Sequence, residues 1–196
     1  MHLKNVAAAF FALTLGEVAH AYEDAPGSVH PEYSLPFSYG KCYHLKSPSN
    51  QYLGHDIYGY LRFGQSASTA VFKVCANMHV CESNHRNEGV HAGEHWYLLD
   101  MEGTTFSRGR AYVAAVAKPG LVAPAPYLNQ NYLQFSALNE RSSYPDRSVR
   151  LSAHDSFSPF SAGLSMGLGF QNEYIMTKQW SDEGILVDFD EVNCPP

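Results

Sequence analysis

Apolar residues recur in short runs along most of the chain, and polar turn residues separate the runs. From Tyr39 onward the runs are rich in aromatic and β-branched residues, as strands are. Turn-forming residues, such as Glu102-Gly103, separate these runs. No helical period is sustained outside the first 21 residues; the nearest approach, at 111–116, is soon stopped by Pro119. The pattern predicts an all-β domain with strands at 42–45, 60–63, 71–75, 96–100, 112–116, 132–138, 149–153, 167–171, 173–177 and 185–192.

A short sequence pattern recurs three times at equal spacing among these apolar runs. The same apolar-x-Leu core begins at Tyr43, Trp96 and Val149, which are 53 residues apart in both intervals (43 to 96 and 96 to 149). Three units of this size, each giving four strands to a shared barrel, are what a β-trefoil needs. We therefore expect a β-trefoil-like barrel of about 10–12 short strands, with a β-sandwich or another small β-barrel as the alternative.

Residues 40–45, followed by 51–54 (Gln-Tyr-Leu-Gly), resemble the opening of ricin-B-type trefoil units, in which a strand, a polar turn and a second strand follow in order. Units of that family carry Gln-x-Trp near their ends, and here only Gln179-Trp180 comes close, with a different spacing. The chain also resembles, in general style, the small secreted proteins of filamentous fungi. These resemblances imply a trefoil fold and an effector-like or lectin-like role.

The first 21 residues have the layout of a secretory signal. Lys4 gives a positive start, residues 6–15 are apolar, and Ala19-His20-Ala21 places small residues where a signal peptidase reads them. Cleavage is expected between Ala21 and Tyr22. The resulting organisation is a signal peptide at 1–21, a flexible N-terminal arm at 22–37 and a single disulfide-stapled β domain at 38–196, and the product is expected outside the cell.

Four cysteines follow the signal, and in an oxidising compartment an even number indicates disulfides. The favoured pairing is a local Cys75–Cys81 loop and a Cys42–Cys194 link between the first and last strands, although crossed pairing stays open.

Composition narrows the range of partners. The chain is 45% hydrophobic and 16% charged, which excludes disorder for most of it, and its net charge is -6. An acidic protein gains no attraction to phosphate backbones, so no nucleic-acid partner is expected. It also lacks the basic cluster of an anionic-lipid binder, so no membrane partner is expected. The protein is expected to be a monomer.

Histidines concentrate in one segment, where His79, His85, His91 and His95 follow Cys75 closely. Residues 91–95 match the His-x-x-Glu-His zinc pattern, but that chemistry requires a helix, and Gly89 and Gly93 disfavour one. We interpret the segment as a solvated surface loop. These four histidines are weak metal-ligand candidates, and neither a metal nor another cofactor is expected.

Motifs of catalysis are missing from the sequence. No Gly-x-Ser-x-Gly elbow occurs, and the cysteines are better explained as disulfides than as nucleophiles. Carboxylates cluster near the C-terminus, at Asp182, Glu183, Asp188, Asp190 and Glu191, where a solvated strand face explains them without catalysis. No catalytic residue is assigned.

Aromatic residues near turns are the remaining candidates for ligand binding. Tyr52, Tyr58, Tyr60 and Trp180 lie beside polar residues, an arrangement typical of sugar stacking or of anchoring a protein interface. The sequence therefore favours an exported, non-catalytic binding protein directed at an extracellular glycan or a host protein. The alternatives are an extracellular enzyme acting on polysaccharide and a structural protein of a wall or spore coat.

Overall fold

Fifteen strands make up the described part of the chain, and they pair only in antiparallel fashion. This computed structural model describes residues 34–64, 67–78, 81, 88–103, 109–115, 120–125, 131–139, 148–155, 165–179 and 183–196. The strands are β1 (Ser34–Ser38), β2 (Cys42–Lys46), β3 (Leu53–His55), β4 (Leu61–Phe63), β5 (Ser68–Thr69), β6 (Phe72–Cys75), β7 (Gly89–His91), β8 (Tyr97–Asp100), β9 (Ala111–Ala115), β10 (Val122–Ala125), β11 (Asn131–Asn139), β12 (Val149–Asp155), β13 (Ser165–Gln171), β14 (Tyr174–Gln179) and β15 (Ile185–Val192). Within these ranges no helix is long and apolar enough to cross a bilayer.

Six of the strands close into a ring. β2 pairs with β6, β6 with β8, β11 with β12, β12 with β15, and β15 returns to β2. The remaining step, from β8 to β11, is made by the bridge between Trp96 and Phe135, whose backbones exchange hydrogen bonds of 2.9 and 2.7 Å. Because each strand of the ring has a partner on both sides, the six form a barrel, and the alternative two-sheet sandwich is excluded.

Three hairpins cover the barrel as a cap. They are β3–β4, β9–β10 and β13–β14. The hairpins also touch one another, through the pairing of Tyr174 with Arg62 and the bridge between Leu121 and Met176. Each third of the chain thus supplies one barrel strand, one hairpin and a second barrel strand. These twelve strands confirm the expected trefoil-like barrel, and β1, β5 and β7 are additions to it.

The sequence repeat coincides with the threefold organisation. Tyr43 lies in β2, Trp96 immediately precedes β8, and Val149 begins β12, so each opens its unit. All three side chains are buried, and so are the leucines two positions later, Leu45, Leu98 and Leu151. The apolar-x-Leu pattern is therefore the inward-facing start of each unit, as alternation along a strand requires.

Phe37 of β1 belongs to the core. Its ring packs edge-on against Trp96 at 5.1 Å and stacks on Phe189 at 4.1 Å between centroids. β1 pairs with β7, and the first strand therefore begins at Ser34, four positions before the boundary at 38 expected from the sequence. Pro36 in this strand is one reason why the sequence there did not resemble a strand.

A buried hydrogen-bonded pair joins the cap to the barrel. His55 Nε2 of β3 lies 2.5 Å from Asp100 Oδ2 of β8, and the two residues are 8% and 0% exposed. The other carboxylate oxygen of Asp100 accepts hydrogen bonds from the backbone N–H groups of Glu102 and Gly103, both at 2.9 Å. His55 Nε2 and both carboxylate oxygens of Asp100 thus have partners where water is excluded, as buried polar groups require.

Both disulfides have the favoured pairing. Cys42 at the start of β2 is bonded to Cys194, which follows β15, with 5.1 Å between their Cα atoms. The bond therefore links the first and last strands of the barrel, next to the backbone pairing of Cys42 with Val192. Cys75 and Cys81, 4.8 Å apart at Cα, close a short loop after β6.

Candidate functional site

The turn between β3 and β4, residues 56–60, presents an unusual amount of apolar surface to solvent. Ile57 is 81% exposed and Tyr58 is 59% exposed, the two highest values among the exposed large hydrophobic residues that the structure describes. Ordinary turns favour Gly, Pro, Asn, Asp and Ser at such positions. Burial therefore does not explain these two side chains, and they are candidates for contact with a ligand.

Asp56 fixes the shape of this β3–β4 turn. Its Oδ1 accepts hydrogen bonds from the backbone N–H groups of Tyr58 and Tyr60, both at 2.9 Å. Its own N–H donates to the Tyr60 carbonyl, and the Gly59 N–H donates to the Asp56 carbonyl, each at 3.0 Å. Gly59 has φ of 87°, a left-handed conformation that glycine adopts without strain. The exposed pair is consequently carried on a turn with a defined backbone.

The β13–β14 hairpin supports the turn from the side. The Tyr174 hydroxyl donates to Asp56 Oδ2 at 2.9 Å, and the Arg62 guanidinium lies 5.1 Å from the centre of the Tyr174 ring. Arg62 also forms an ion pair with Glu173. The hydrogen bond to Asp56, followed by desolvation, raises the pKa of Tyr174 above its ordinary value, so its hydroxyl keeps its proton at neutral pH. The exposed tip of the turn is therefore supported from below by the Asp56 carboxylate and the Tyr174 hydroxyl.

Phe170 adds a further exposed apolar side chain on the same hairpin. It is 49% exposed, and its ring packs edge-on against Phe63 at 5.7 Å. Sequence reasoning missed Phe170, Tyr174, Arg62 and Ile57 as site residues. The ligand-binding candidates predicted from the sequence included residues of the β3–β4 hairpin and none of the β13–β14 hairpin. Nothing in the sequence indicates that these two hairpins are neighbours.

Of the four aromatic residues predicted to bind a ligand, the structure describes three, and it places them apart. Tyr58 and Tyr60 lie in the β3–β4 turn, whereas Tyr52 lies at the opposite end of β3. The Tyr52 hydroxyl donates to Asp190 at 3.3 Å and its ring meets His44 edge-on at 5.6 Å. Trp180 lies outside the described residues. Among the three that the structure describes, Tyr58 is therefore the most exposed.

The segment that matches the His-x-x-Glu-His zinc pattern, residues 91–95, is not helical. His91 ends β7, a turn follows at 92–93, and His95 immediately precedes the Trp96 bridge. Glu94 Oε2 accepts hydrogen bonds from the Tyr39 hydroxyl at 3.0 Å and from the His91 N–H at 2.9 Å. Burial and the Glu94 contact raise the pKa of Tyr39. The arrangement thus makes Glu94 a turn-stabilising residue and not the general base of a metalloprotease, whose pattern requires a helix.

The remaining metal candidates, His79 and His85, lie outside the described residues. Across the residues that are described, no three side chains of His, Cys, Asp or Glu gather as a metal-binding group.

The C-terminal carboxylates are engaged by neighbouring strands. Asp188 accepts a hydrogen bond from Ser148 at 2.6 Å, Asp190 pairs with Lys46 at 3.3 Å, and Glu191 pairs with Lys41 at 2.8 Å. The hydrogen bond to Asp190 is the largest cause that raises the pKa of Lys46. Glu183 pairs with Lys178, and Asp182 lies outside the described residues. Asp188, Asp190 and Glu191 thus lie on β15 and are held by side chains next to it.

Comparison with known proteins extends the description of the fold. Neither a protein-family model nor a curated protein matches the chain. Among solved structures, winged bean albumin 1 is similar with a TM-score of 0.57 at 11% identity, over 84% of this chain and 100% of that one. A Kunitz-type cysteine protease inhibitor from potato, PCPI-3, has a TM-score of 0.49 at 12% identity, over 84% and 98% of the two chains. The closed barrel, its three-hairpin cap and the similarity to winged bean albumin 1 together show that this chain has a β-trefoil fold.

Proposed function

We propose that this chain is an exported, non-catalytic binding protein that recognises an extracellular glycan through the β3–β4 turn. The observation that carries the proposal is the exposure of Ile57 and Tyr58 on a turn whose backbone is held by Asp56. A binding site formed in advance loses little conformational entropy when a ligand arrives, and affinity improves accordingly.

Export is supported by two independent features. The first 21 residues have the three-part layout of a signal peptide. The two disulfides are typical of extracellular proteins, because thiols stay reduced in the cytosol.

A glycan suits the turn better than a protein partner does. A standard protein interface buries about 800 Å² on each side, far more than two side chains of one turn provide. One exposed ring can instead stack on the apolar face of a sugar, while neighbouring polar groups hydrogen-bond to its hydroxyls. Asp56, two positions before Tyr58, and the Tyr174 hydroxyl that is bonded to it are polar groups of this kind in the turn.

Removing the Tyr58 ring is expected to weaken glycan binding by roughly thirtyfold, equivalent to about 2 kcal/mol, the loss typical of an aromatic hot spot. Because Tyr58 is largely exposed, Tyr58→Ala should change the free energy of unfolding by less than about 0.5 kcal/mol. The measurement is a glycan array followed by calorimetric titration of the best ligand. Tyr52→Ala is the matched control: Tyr52 is also an exposed tyrosine, but its hydroxyl is bonded to Asp190 and its ring packs against His44, and this variant should bind as the unmodified protein does.

The alternatives give different results in the same experiments. Release of soluble sugars from wall polysaccharides would show an enzyme and contradict the proposal. Absence of binding across the array would also contradict it, and would favour a structural protein or one that binds a host protein. An equal loss of glycan affinity in Tyr58→Ala and Tyr52→Ala would show that the glycan binds at another surface.

A further inference from the structure

Two histidines from distant parts of the chain meet on the barrel surface. The imidazole centroids of His95 and His154 are 4.7 Å apart, with 33° between the ring planes. They are 59 positions apart in the sequence (154 minus 95), so their proximity is a product of the fold. His95 is exposed and His154 is half-buried, so the pair can be reached from solvent.

The strand order explains how the rings meet. His95 precedes Trp96, which bridges Phe135 of β11, and this places His95 beside Ser136. His154 lies on β12, opposite Gln134 on the other side of β11. Ser136 is small, so the two rings can approach each other across the strand between them. Its hydroxyl is hydrogen-bonded to His154 Nε2 at 2.9 Å and restrains the orientation of that ring.

The spacing of the rings suits a shared ion. Imidazole nitrogens bind Zn²⁺ at about 2.0–2.1 Å, so two imidazoles in adjacent positions on one such ion have ring centroids roughly 4.5–5.2 Å apart. The 4.7 Å between His95 and His154 lies within this range. Imidazole suits Cu²⁺, Ni²⁺ and Zn²⁺, and for one set of ligands Cu²⁺ binds tightest. Ligating histidines usually make a hydrogen bond through the ring nitrogen that does not bind the metal, and the Ser136 hydroxyl gives His154 Nε2 a bond of this kind.

We propose that His95 and His154 form a two-imidazole binding site for a borderline divalent transition ion, with Cu²⁺ preferred and water completing the coordination. This site lies on the β8–β11–β12 surface and does not involve the β3–β4 turn. It also differs from the His-x-x-Glu-His interpretation, because its second ligand comes from β12 and not from the histidine-rich segment. The glycan proposal can therefore fail without affecting this one.

The test is titration of the disulfide-bonded protein, purified without a histidine tag, with CuCl₂ at pH 7.5. His95→Ala and His154→Gln are each expected to weaken the tightest Cu²⁺ binding at least about tenfold, a loss that even changes outside the ligand set commonly produce. His95 is exposed, so its variant should fold normally. His44→Ala is the matched control, because His44 lies on β2 against the Ala70 carbonyl, and it should retain the affinity.

Spectroscopy separates this pair from the other histidines. Substoichiometric Cu²⁺ should broaden the ring proton resonances of His95 and His154 first, and the electron paramagnetic resonance spectrum should show coupling to two imidazole nitrogens. Unchanged Cu²⁺ affinity in His95→Ala and His154→Gln, or first broadening at other histidines, would overturn the proposal.

Discussion

Trp96→Ala is expected to lower the free energy of unfolding by about 3–5 kcal/mol, the usual loss when a large aromatic side chain is removed from a core. Trp96 is 0% exposed and lies among rings from three strands, stacking on Phe135 at 5.5 Å and meeting Phe37 and Phe189 edge-on. Its backbone also makes the bridge that closes the barrel between β8 and β11. The loss would be a large part of the 5–15 kcal/mol that stabilises a typical domain.

Trp96→Phe is the control for the Trp96→Ala experiment. The indole N–H of Trp96 finds no hydrogen-bond partner among the described residues, so Phe removes an unsatisfied donor while it keeps an aromatic ring. We expect Trp96→Phe to cost less than about 1.5 kcal/mol, as conservative core changes do. Denaturant unfolding followed by circular dichroism measures both variants. Equal losses for Ala and Phe would show that ring packing is not what Trp96 contributes.

Removing the Cys42–Cys194 bond should destabilise the fold more than removing Cys75–Cys81. The first bond closes a sequence separation of 152 and the second a separation of 6. In the chain-entropy account these loops correspond to about 5 and about 2 kcal/mol, and measured losses are commonly lower than such values. The larger effect is expected because the unfolded chain gains most freedom when the long loop opens.

The comparison uses two double variants, Cys42→Ser with Cys194→Ser and Cys75→Ser with Cys81→Ser. Each pair leaves the other disulfide intact and serves as its control, and urea unfolding of both gives the order directly. A larger loss for the short loop would contradict the role of the long bond as the constraint on the unfolded chain. Labelling of free thiols in the unmodified protein should find none, since all four cysteines are paired.

The repeat was the part of the fold that could be predicted from sequence. Tyr43, Trp96 and Val149 open the three units, and equivalent burial in a threefold barrel requires similar residues there. Strands that contain proline could not be predicted in the same way. β10 contains Pro124, which pairs with Val113 of β9, and Pro was interpreted as a stop signal. In β10 the hairpin partner, and not local propensity, determines the strand.

The site was only partly predictable, because its contacts span long stretches of sequence. Tyr58 was recognisable as an aromatic residue in a turn. Tyr174, which holds Asp56, is 118 positions from it, and Asp100 is 45 positions from its partner His55. Neither residue belongs to a motif, so only the three-dimensional pairing of the cap hairpins with each other and with the barrel reveals these contacts.

The most direct test of the central claim is to map the contact surface by nuclear magnetic resonance. The ¹⁵N-labelled protein would be titrated with the glycan that binds best on the array. We predict that the largest amide shifts occur at Ile57 and Tyr58, with smaller shifts at Tyr174 on the adjoining hairpin. Shifts confined to the 76–95 segment or to the outer face of β2 and β15, with Ile57 and Tyr58 unchanged, would contradict recognition through the β3–β4 turn.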